Sequence, residues 1–389
     1  MRVLVLGADG YLGWATCMHL SALGHEVAGV DNYFRRDAAR RLDLPPLLDP
    51  PALPERARVW RQASGRQVRV EALDVCDLTG LGRLCKELRP QAVVHYAEQP
   101  SAPYSMMGPQ EAHFTLVNNL VSTLNLAQTV GRLDPAIHIV KLGTMGVYGT
   151  PNIDIEEGYL TVTHKGRTHT FLYPKTPGSL YHLTKAQDSD LLYFYTRTWD
   201  LAVTDLNQGP VYGLFTDEAA ADERLLPPFS YDDVFGTVLN RFVTQAAAGL
   251  PLTVYGAGGQ RRGYINLKDT LSCVRLALER PAAKGEYRVF NQFTQTFSVL
   301  ELAEMVRRAG ESLGLKVEVR SIPNPRREEE SHYYNPVHQG LAELGLEPHF
   351  LTEEVLQEML RFVMRHRERV RADLMAPRVS WAVSGKPAL

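Results

Sequence analysis

The stretch MRVLVLGADGYLG, residues 1–13, decides the fold. Its apolar run Val3, Leu4, Val5, Leu6 reads as a strand buried on both faces, and three glycines spaced by two residues follow at once. Residues 12–23 then read as a helix closing at Gly24. In such a turn Gly7 permits the tight bend, Gly10 lets the backbone approach a pyrophosphate, and Gly13 lets the helix lie close on the sheet. The helix start at Tyr11 and Leu12 adds amide donors and partial positive charge. A second strand over 26–30 ends at Asp31, 18 residues beyond Gly13, where a carboxylate accepts both hydroxyls of an adenosine ribose. The same carboxylate would repel a 2′-phosphate, so NAD is the expected cofactor. Asn32 joins it as an expected cofactor contact; Arg35 and Arg36 pull toward NADP but equally suit the diphosphate or solvent. Asp74 and Val75 are placed against the adenine, although Asp74, like Asp77, also fits a helix N-cap. Tyr96, Asn118 and Lys185 complete the expected cofactor set.

Outward from this unit, strand-like runs recur at 68–73, 92–96, 136–142 and 201–206, with helical stretches near 78–88, 109–131 and 181–198. The alternation predicts an α/β fold, a Rossmann-type doubly wound parallel sheet, with a smaller C-terminal substrate-binding domain over its carboxyl edge. Residues 1–205 and roughly 235–272 are assigned to the NAD-binding domain, 206–234 and 273–380 to the substrate domain. Residues 33–66 interrupt the rhythm with five prolines and many arginines, and read as a lid, a partner surface or a long loop.

At 389 residues and 44% hydrophobic content the chain can bury a large core. A net charge of −2 with no basic stripe argues against nucleic acid. The four cysteines form no CxxC pair, which argues against a metal site or a disulfide framework and for a reducing compartment. No apolar run approaches the roughly 20 residues needed to span a bilayer, and the first strand starts at Arg2, so the expectation is a cytoplasmic protein without a membrane partner.

The reactive end centres on Tyr181 and Lys185, a phenol and an ammonium four residues apart on one helix face. A tyrosine near pKa 10 must fall by about three units, or about 4 kcal/mol, to act as a base near neutrality. An ammonium about 4 Å away at an effective dielectric of about 20 supplies energy of that order. The same spacing recurs at Tyr264 and Lys268, but Tyr264 lies in a segment reading as a strand, so the first pair is favoured. Thr144 ends the fifth strand within KLGTMGVYGTP, residues 141–151.

The glycine fingerprint, Thr144, and Tyr181 with Lys185 together resemble the extended short-chain dehydrogenase/reductase family, whose members modify nucleotide sugars. GADGYLGWAT, SAPYSMM, YGTPNIDIEEGY, DLNQGPVYG, LTVYGAGGQ and FNQFTQTFSV are similar, almost from end to end, to its UDP-sulfoquinovose synthase branch. The resemblance implies a nucleotide-sugar substrate, a UDP-sugar favoured, and a 4-keto intermediate: C4 is oxidised, water leaves across C5 and C6, sulfite adds, and the hydride returns. It implies that Thr144 binds the sugar hydroxyl, Tyr181 takes its proton, and Lys185 tunes Tyr181 and holds the nicotinamide ribose. Gln99, Ser101, Asn207, Gln208, Thr253, Tyr255, Gln260, Arg262 and Arg326 become the expected sugar-nucleotide contacts, arginine forks suiting a diphosphate. Helices 109–131 and 181–198 are the pair that relatives use to form a homodimer.

Two positions depart from that branch. Pro100, in HYAEQPSAPYS, stands where the synthases carry arginine, and Val147 stands where they carry glutamate. Either change removes a charge expected near the reacting sugar. Met145 and Gly146 also replace the Asp-Glu pair of 4,6-dehydratases, leaving His182 and Glu98 as candidates for proton transfer at C5 and C6. The readings left open are therefore a sulfoquinovose-type synthase, a 4-epimerase or 4,6-dehydratase of another nucleotide sugar, and a silent NAD-binding regulator.

Overall fold

The computed structural model describes residues 1–326 and 332–381; the acidic run Glu328, Glu329 and Glu330 beside Arg326 lies outside the described residues. The first half of the chain runs β1 (Arg2–Leu6), α1 (Tyr11–Ala22), β2 (Glu26–Asp31), α2 (Phe34–Arg41), α3 (Leu53–Ser64), β3 (Val68–Ala72), α4 (Leu78–Leu88) and β4 (Ala92–His95). It continues through α5 (Ala102–Ser105), α6 (Pro109–Leu133), β5 (His138–Thr144), the hairpin β6 (Tyr159–His164) and β7 (Arg167–Leu172), α7 (Leu180–Trp199) and β8 (Ala202–Gln208).

The alternation of side chains in β1 explains the layering. Val3 and Val5 enter one core with Trp14 and Met18 of α1, while Leu4 and Leu6 enter a second core with Leu81, Leu126 and Leu192 of α4, α6 and α7. A strand buried on both faces must be apolar throughout, as the opening motif is. The sheet has seven strands, all paired in parallel, in the order β12, β8, β5, β4, β1, β2, β3, where β12 is Tyr287–Gln292.

That edge strand shifts the expected domain division. Residues 287–292 pair with β8 in register from Tyr287 opposite Val203 to Gln292 opposite Gln208, so a piece of the range 273–380 belongs to the central sheet. Conversely α8 (Val238–Ala247) packs against α10 (Val299–Ser312) and α12 (Glu353–Arg365), and β10 (Leu252–Tyr255) pairs with β14 (Val319–Ile322), although 235–272 was expected in the NAD-binding part. Sequence periodicity gives each element's face but not the neighbour that covers it. Between these, β9 (Val211–Tyr212), β11 (Arg261–Asn266) and β13 (Gln295–Ser298) form a small sheet, and α9 (Leu267–Glu279) lies against α1.

The 33–66 segment is no loose loop. Leu44, Leu47, Leu53, Val59 and Trp60 are buried in the same core as Val3 and Trp14, and they carry α2 and α3 onto the glycine turn.

Candidate active site

Three glycines do different work. Gly7 has φ +86°, and a Cβ there would stand 2.7 Å from the carbonyl carbon of Tyr96; a Cβ on Gly13 would come within 1.9 Å of the Gly7 oxygen. Both are packing glycines. A Cβ on Gly10 would meet only the Gly7 oxygen, at 3.4 Å, so the loop's open face lies at the N-terminus of α1. Open backbone there, helix amides behind it and a carboxylate at the end of β2 fit a dinucleotide.

A cavity of about 540 Å³ starts at this loop and runs along the carboxyl edge of the sheet. Gly7, Gly10, Tyr11, Leu12, Gly13, Asp31, Asn32 and Arg35 line its first part, with Asp74, Val75, Tyr96 and Asn118 nearby. Asp31 accepts from the Asp9 amide at 2.8 Å and the Tyr33 amide at 2.7 Å; burial nevertheless pushes its carboxyl up to about 6. Asn32 donates to Asp74 at 3.2 Å, tying the two strand ends together. Arg35 lies over the Phe235 ring at 3.5 Å and donates to Ser230 at 2.8 Å; burial lowers its guanidinium to about 10. Arg36 lies outside the cavity lining and turns onto Asp9, which is part of it.

Thr144 closes β5 at the cavity wall, its hydroxyl accepting from the Gly146 amide at 3.2 Å. Tyr181, second residue of α7, faces the same space. The α7 N-cap Ser179 accepts from the His182 amide at 3.2 Å and holds His182 Nδ1 at 3.0 Å, which fixes the imidazole. That ring fills the room left by Gly146: an added Cβ would lie 2.4 Å from its Nε2. Burial, then Arg326 and Arg262, lowers His182 to about 3, so it is a neutral imidazole at pH 7.

Lys185 is fully buried against two carboxylates, bonded to Glu98 and 3.4 Å from Asp188. Burial opposes its charge, but Glu98 and Asp188 outweigh that and raise its pKa. Tyr181 therefore differs from the sequence argument. Burial raises its phenol, Lys185 lowers it, and Glu98 and Asp188 raise it again. The ammonium alone does not make this tyrosine a base, because burial outweighs its field and the carboxylates beside it offset part of what remains. Burial, then the neighbouring Glu98, raises the Asp188 carboxyl above its ordinary range, with Lys185 and Lys141 opposing.

The far part of the cavity is lined by Ser101, Gln208, Tyr255, Gln260, Arg262 and Arg326, all expected sugar-nucleotide contacts. Gln260 is 3% exposed, and neither its Nε2 nor its Oε1 has a partner among the described residues, a buried amide left for a ligand. Three further expected contacts point elsewhere. Gln99 bonds Thr115 at 2.8 Å, Asn207 donates to the Tyr148 hydroxyl at 2.8 Å, and Thr253 accepts from Gln245 at 2.8 Å. Arg241 was missed: it lines the cavity, stacks over the Tyr255 ring at 4.4 Å and donates to that hydroxyl at 3.1 Å. Its one signal was a charged residue inside a helix that is otherwise mostly apolar.

The two departures part company here. Pro100 lines the cavity. Val147 does not: it is fully buried in an apolar cluster with Met145, Tyr148, Ile155, Tyr173 and Phe293. Tyr264 and Lys268, the competing pair, sit on β11 and at the start of α9, with Lys268 bonded to Asp217 at 2.7 Å.

A Rossmann-type sheet, a dinucleotide loop, and Thr144 and Tyr181 on one cavity define an NAD-dependent enzyme; Lys185, expected to hold the nicotinamide ribose, is buried on Glu98 and lies outside the cavity lining. The chain belongs to the NAD dependent epimerase/dehydratase family, whose profile matches residues 3–291. UDP-sulfoquinovose synthase, chloroplastic, of Spinacia oleracea is 50% identical over 384 residues, covering 99% of this chain and 80% of that protein. UDP-sulfoquinovose synthase of Sulfolobus acidocaldarius is 42% identical over 384 residues, covering 98% of each. The UDP-glucose 4-epimerase of Bifidobacterium longum, in complex with NAD+ and UDP, shares the fold at a TM-score of 0.70 and 20% identity over 94% of this chain and 98% of that one. Among the described residues no helix is long and apolar enough to cross a membrane.

Proposed function

We propose that this enzyme modifies a nucleotide sugar, with UDP-sugars favoured, by oxidising C4 to a ketone and later returning the hydride, in the manner of a UDP-sulfoquinovose synthase acting on UDP-glucose and sulfite. The observation that carries the reading is the continuity of the cavity, from Asp31 past Thr144 and Tyr181 to Gln260 and the arginines. Bound at the glycine loop and held by Asp31 and the α1 amides, NAD would supply a hydride acceptor and, when oxidised, a positive charge beside the phenol. That charge adds to Lys185 in favouring the Tyr181 phenolate.

Thr144 orients the C4 hydroxyl and Tyr181 takes its proton, keeping it until the C4 oxygen needs it again. The ketone acidifies C5; His182, held by Ser179, takes that proton and passes it to the C6 oxygen, which leaves as water, and the low proton affinity that burial, Arg326 and Arg262 impose on it recovers once a diphosphate compensates those arginines. Arg241, Arg262 and Arg326 hold the diphosphate. Dimerisation belongs to the same reading. Helices α6 and α7 pack together and leave Leu116, Val117, Leu124, Leu183 and Phe194 at exposures of 36% to 49%, an apolar face that suits a second copy. Cys17, Cys76, Cys85 and Cys273 are free thiols, in keeping with a cytoplasmic setting.

Pro100 favours a second reading, a 4-epimerase or dehydratase of another nucleotide sugar, because the synthase arginine is missing from the cavity wall. Incubation with UDP-glucose and sulfite decides between them. A sulfonated UDP-sugar, seen by mass spectrometry, supports the synthase; its absence together with turnover of another nucleotide sugar overturns it.

A further inference from the structure

The 33–66 insertion has its most buried polar contact with the cofactor loop. Arg36 sits five residues past Asp31, where a guanidinium would hold the 2′-phosphate of NADP. Its donors are already taken. Nε meets Asp9 Oδ2 at 2.5 Å, Nη2 meets Asp9 Oδ1 at 3.0 Å and the Pro51 carbonyl at 2.9 Å, and Nη1 meets the Pro50 carbonyl at 2.8 Å. From α3, Arg56 reaches the same carboxylate; it is 0% exposed, donates to the Asp9 carbonyl at 2.9 Å and lies 5.2 Å from the Trp14 ring. Asp9 in turn gives its amide to Asp31 at 2.8 Å. Asp9 and Asp31 thus form one cluster with Arg36 and Arg56 at the ribose position, and the exposed Asp49 meets Arg36 Nη1 from outside at 3.3 Å.

We propose that Asp9 sets the choice of NAD over NADP by neutralising Arg36 and Arg56, and that the role of the 33–66 insertion is to deliver those two arginines to the glycine loop. The inference rests on the placement of the adenosine ribose at Asp31. With Asp9 ionised, its carboxylate occupies both Arg36 and Arg56 and leaves no spare fork on Arg36, so a dianionic 2′-phosphate meets Asp31 and gains nothing. Without that carboxylate, the cluster is one charge more positive and Arg36 Nε, whose partner is Asp9, is freed for an anion. A 2′-hydroxyl is neutral, so NAD responds much less than NADP. A role confined to holding the loop in shape would weaken both cofactors alike.

Calorimetric titration of the full chain with NAD and with NADP gives the ratio of dissociation constants. Asp9→Asn is expected to shift that ratio toward NADP by about tenfold or more, equivalent to about 1.4 kcal/mol; a ratio within twofold of the parent overturns the proposal. Arg36→Gln guards against a misfolded variant, since Arg36 is partly exposed and its loss leaves Asp9 under-compensated. It should move the ratio several-fold further toward NAD, and an unchanged ratio again overturns the proposal. Asp31→Asn separates the layers. If it leaves NAD affinity intact, the ribose placement fails and the proposal with it; if it weakens NAD while Asp9→Asn leaves the ratio still, the placement stands and only the proposal falls.

Discussion

The two ends of the cavity handle charge in opposite ways. At the glycine loop opposite charges meet within the protein itself, with Asp9 bridging Arg36 and Arg56. At the far end Arg241, Arg262 and Arg326 gather within reach of His182 and Tyr264, and the lining carboxylate of Asp233 is tied to Arg378 at 3.0 Å. A balanced end suits a ligand whose diphosphate is held by backbone amides, as a dinucleotide's is. An end rich in guanidinium suits a diphosphate held by side chains. Between them Lys185 is bonded to Glu98 and lies 3.4 Å from Asp188, so the reactive centre keeps its own buried ion pairs.

The largest expected effect breaks that centre alone. Tyr181→Phe removes the proton acceptor while leaving the ring that lines the cavity, so turnover should fall by roughly 10²–10⁴-fold. NAD affinity should stay within a few-fold of the parent, because the cofactor end does not depend on the phenol. Single-turnover assays alongside cofactor titration make the separation, and full activity in this variant would remove Tyr181 from the mechanism.

A smaller effect tests the arginine end. Arg241→Gln keeps a polar side chain but removes the charge facing the diphosphate, a loss of about 1.5–3 kcal/mol, or roughly 10- to 150-fold in affinity for the nucleotide sugar. The cost should fall on KM more than on kcat, since the diphosphate is bound equally in ground and transition states. A change in kcat at constant KM would place Arg241 at the reacting carbon instead.

How much of this was legible depended on distance along the chain. The unit from β1 to Asp31 is local: glycine spacing, helix start and terminal acid all follow from backbone geometry within 31 residues, and the structure keeps them in place. The Tyr181–Lys185 spacing was readable on one helix face, and the resemblance added the role of Thr144 and the positions of Arg262 and Arg326. It could not add direction. Gln99, Asn207 and Thr253 sit close to the site yet turn to Thr115, Tyr148 and Gln245, partners that no spacing rule names. Lys185 finds Glu98 from 87 residues away, so the field at Tyr181 was not readable from the Tyr-Lys pair alone. Asp9 was hidden for the same reason, as an unremarked residue between two glycines until Arg36 and Arg56 close on it.

The last contrast is between the two departures, which looked equivalent in sequence and are not. Pro100 faces the cavity, so Pro100→Arg adds a cation where an anionic nucleophile must approach. If sulfite is the co-substrate, its KM should fall by a few-fold, and the gain should shrink as ionic strength rises because the added charge acts through a solvated wall. Val147 is 0% exposed among apolar neighbours. Val147→Glu would bury a carboxylate without a partner, costing at least about 1–3 kcal/mol of stability, with no improvement in sulfite use; thermal unfolding and a sulfite titration read both. An opposite pattern, with glutamate at 147 raising sulfite use and arginine at 100 doing nothing, would mean that the turn after Thr144 rotates to carry residue 147 into the cavity during the reaction. The present packing argues against that rotation, since the Val147 carbonyl accepts from the Thr176 amide at 3.0 Å and Gly149, at φ +64°, is wedged against the Thr176 carbonyl.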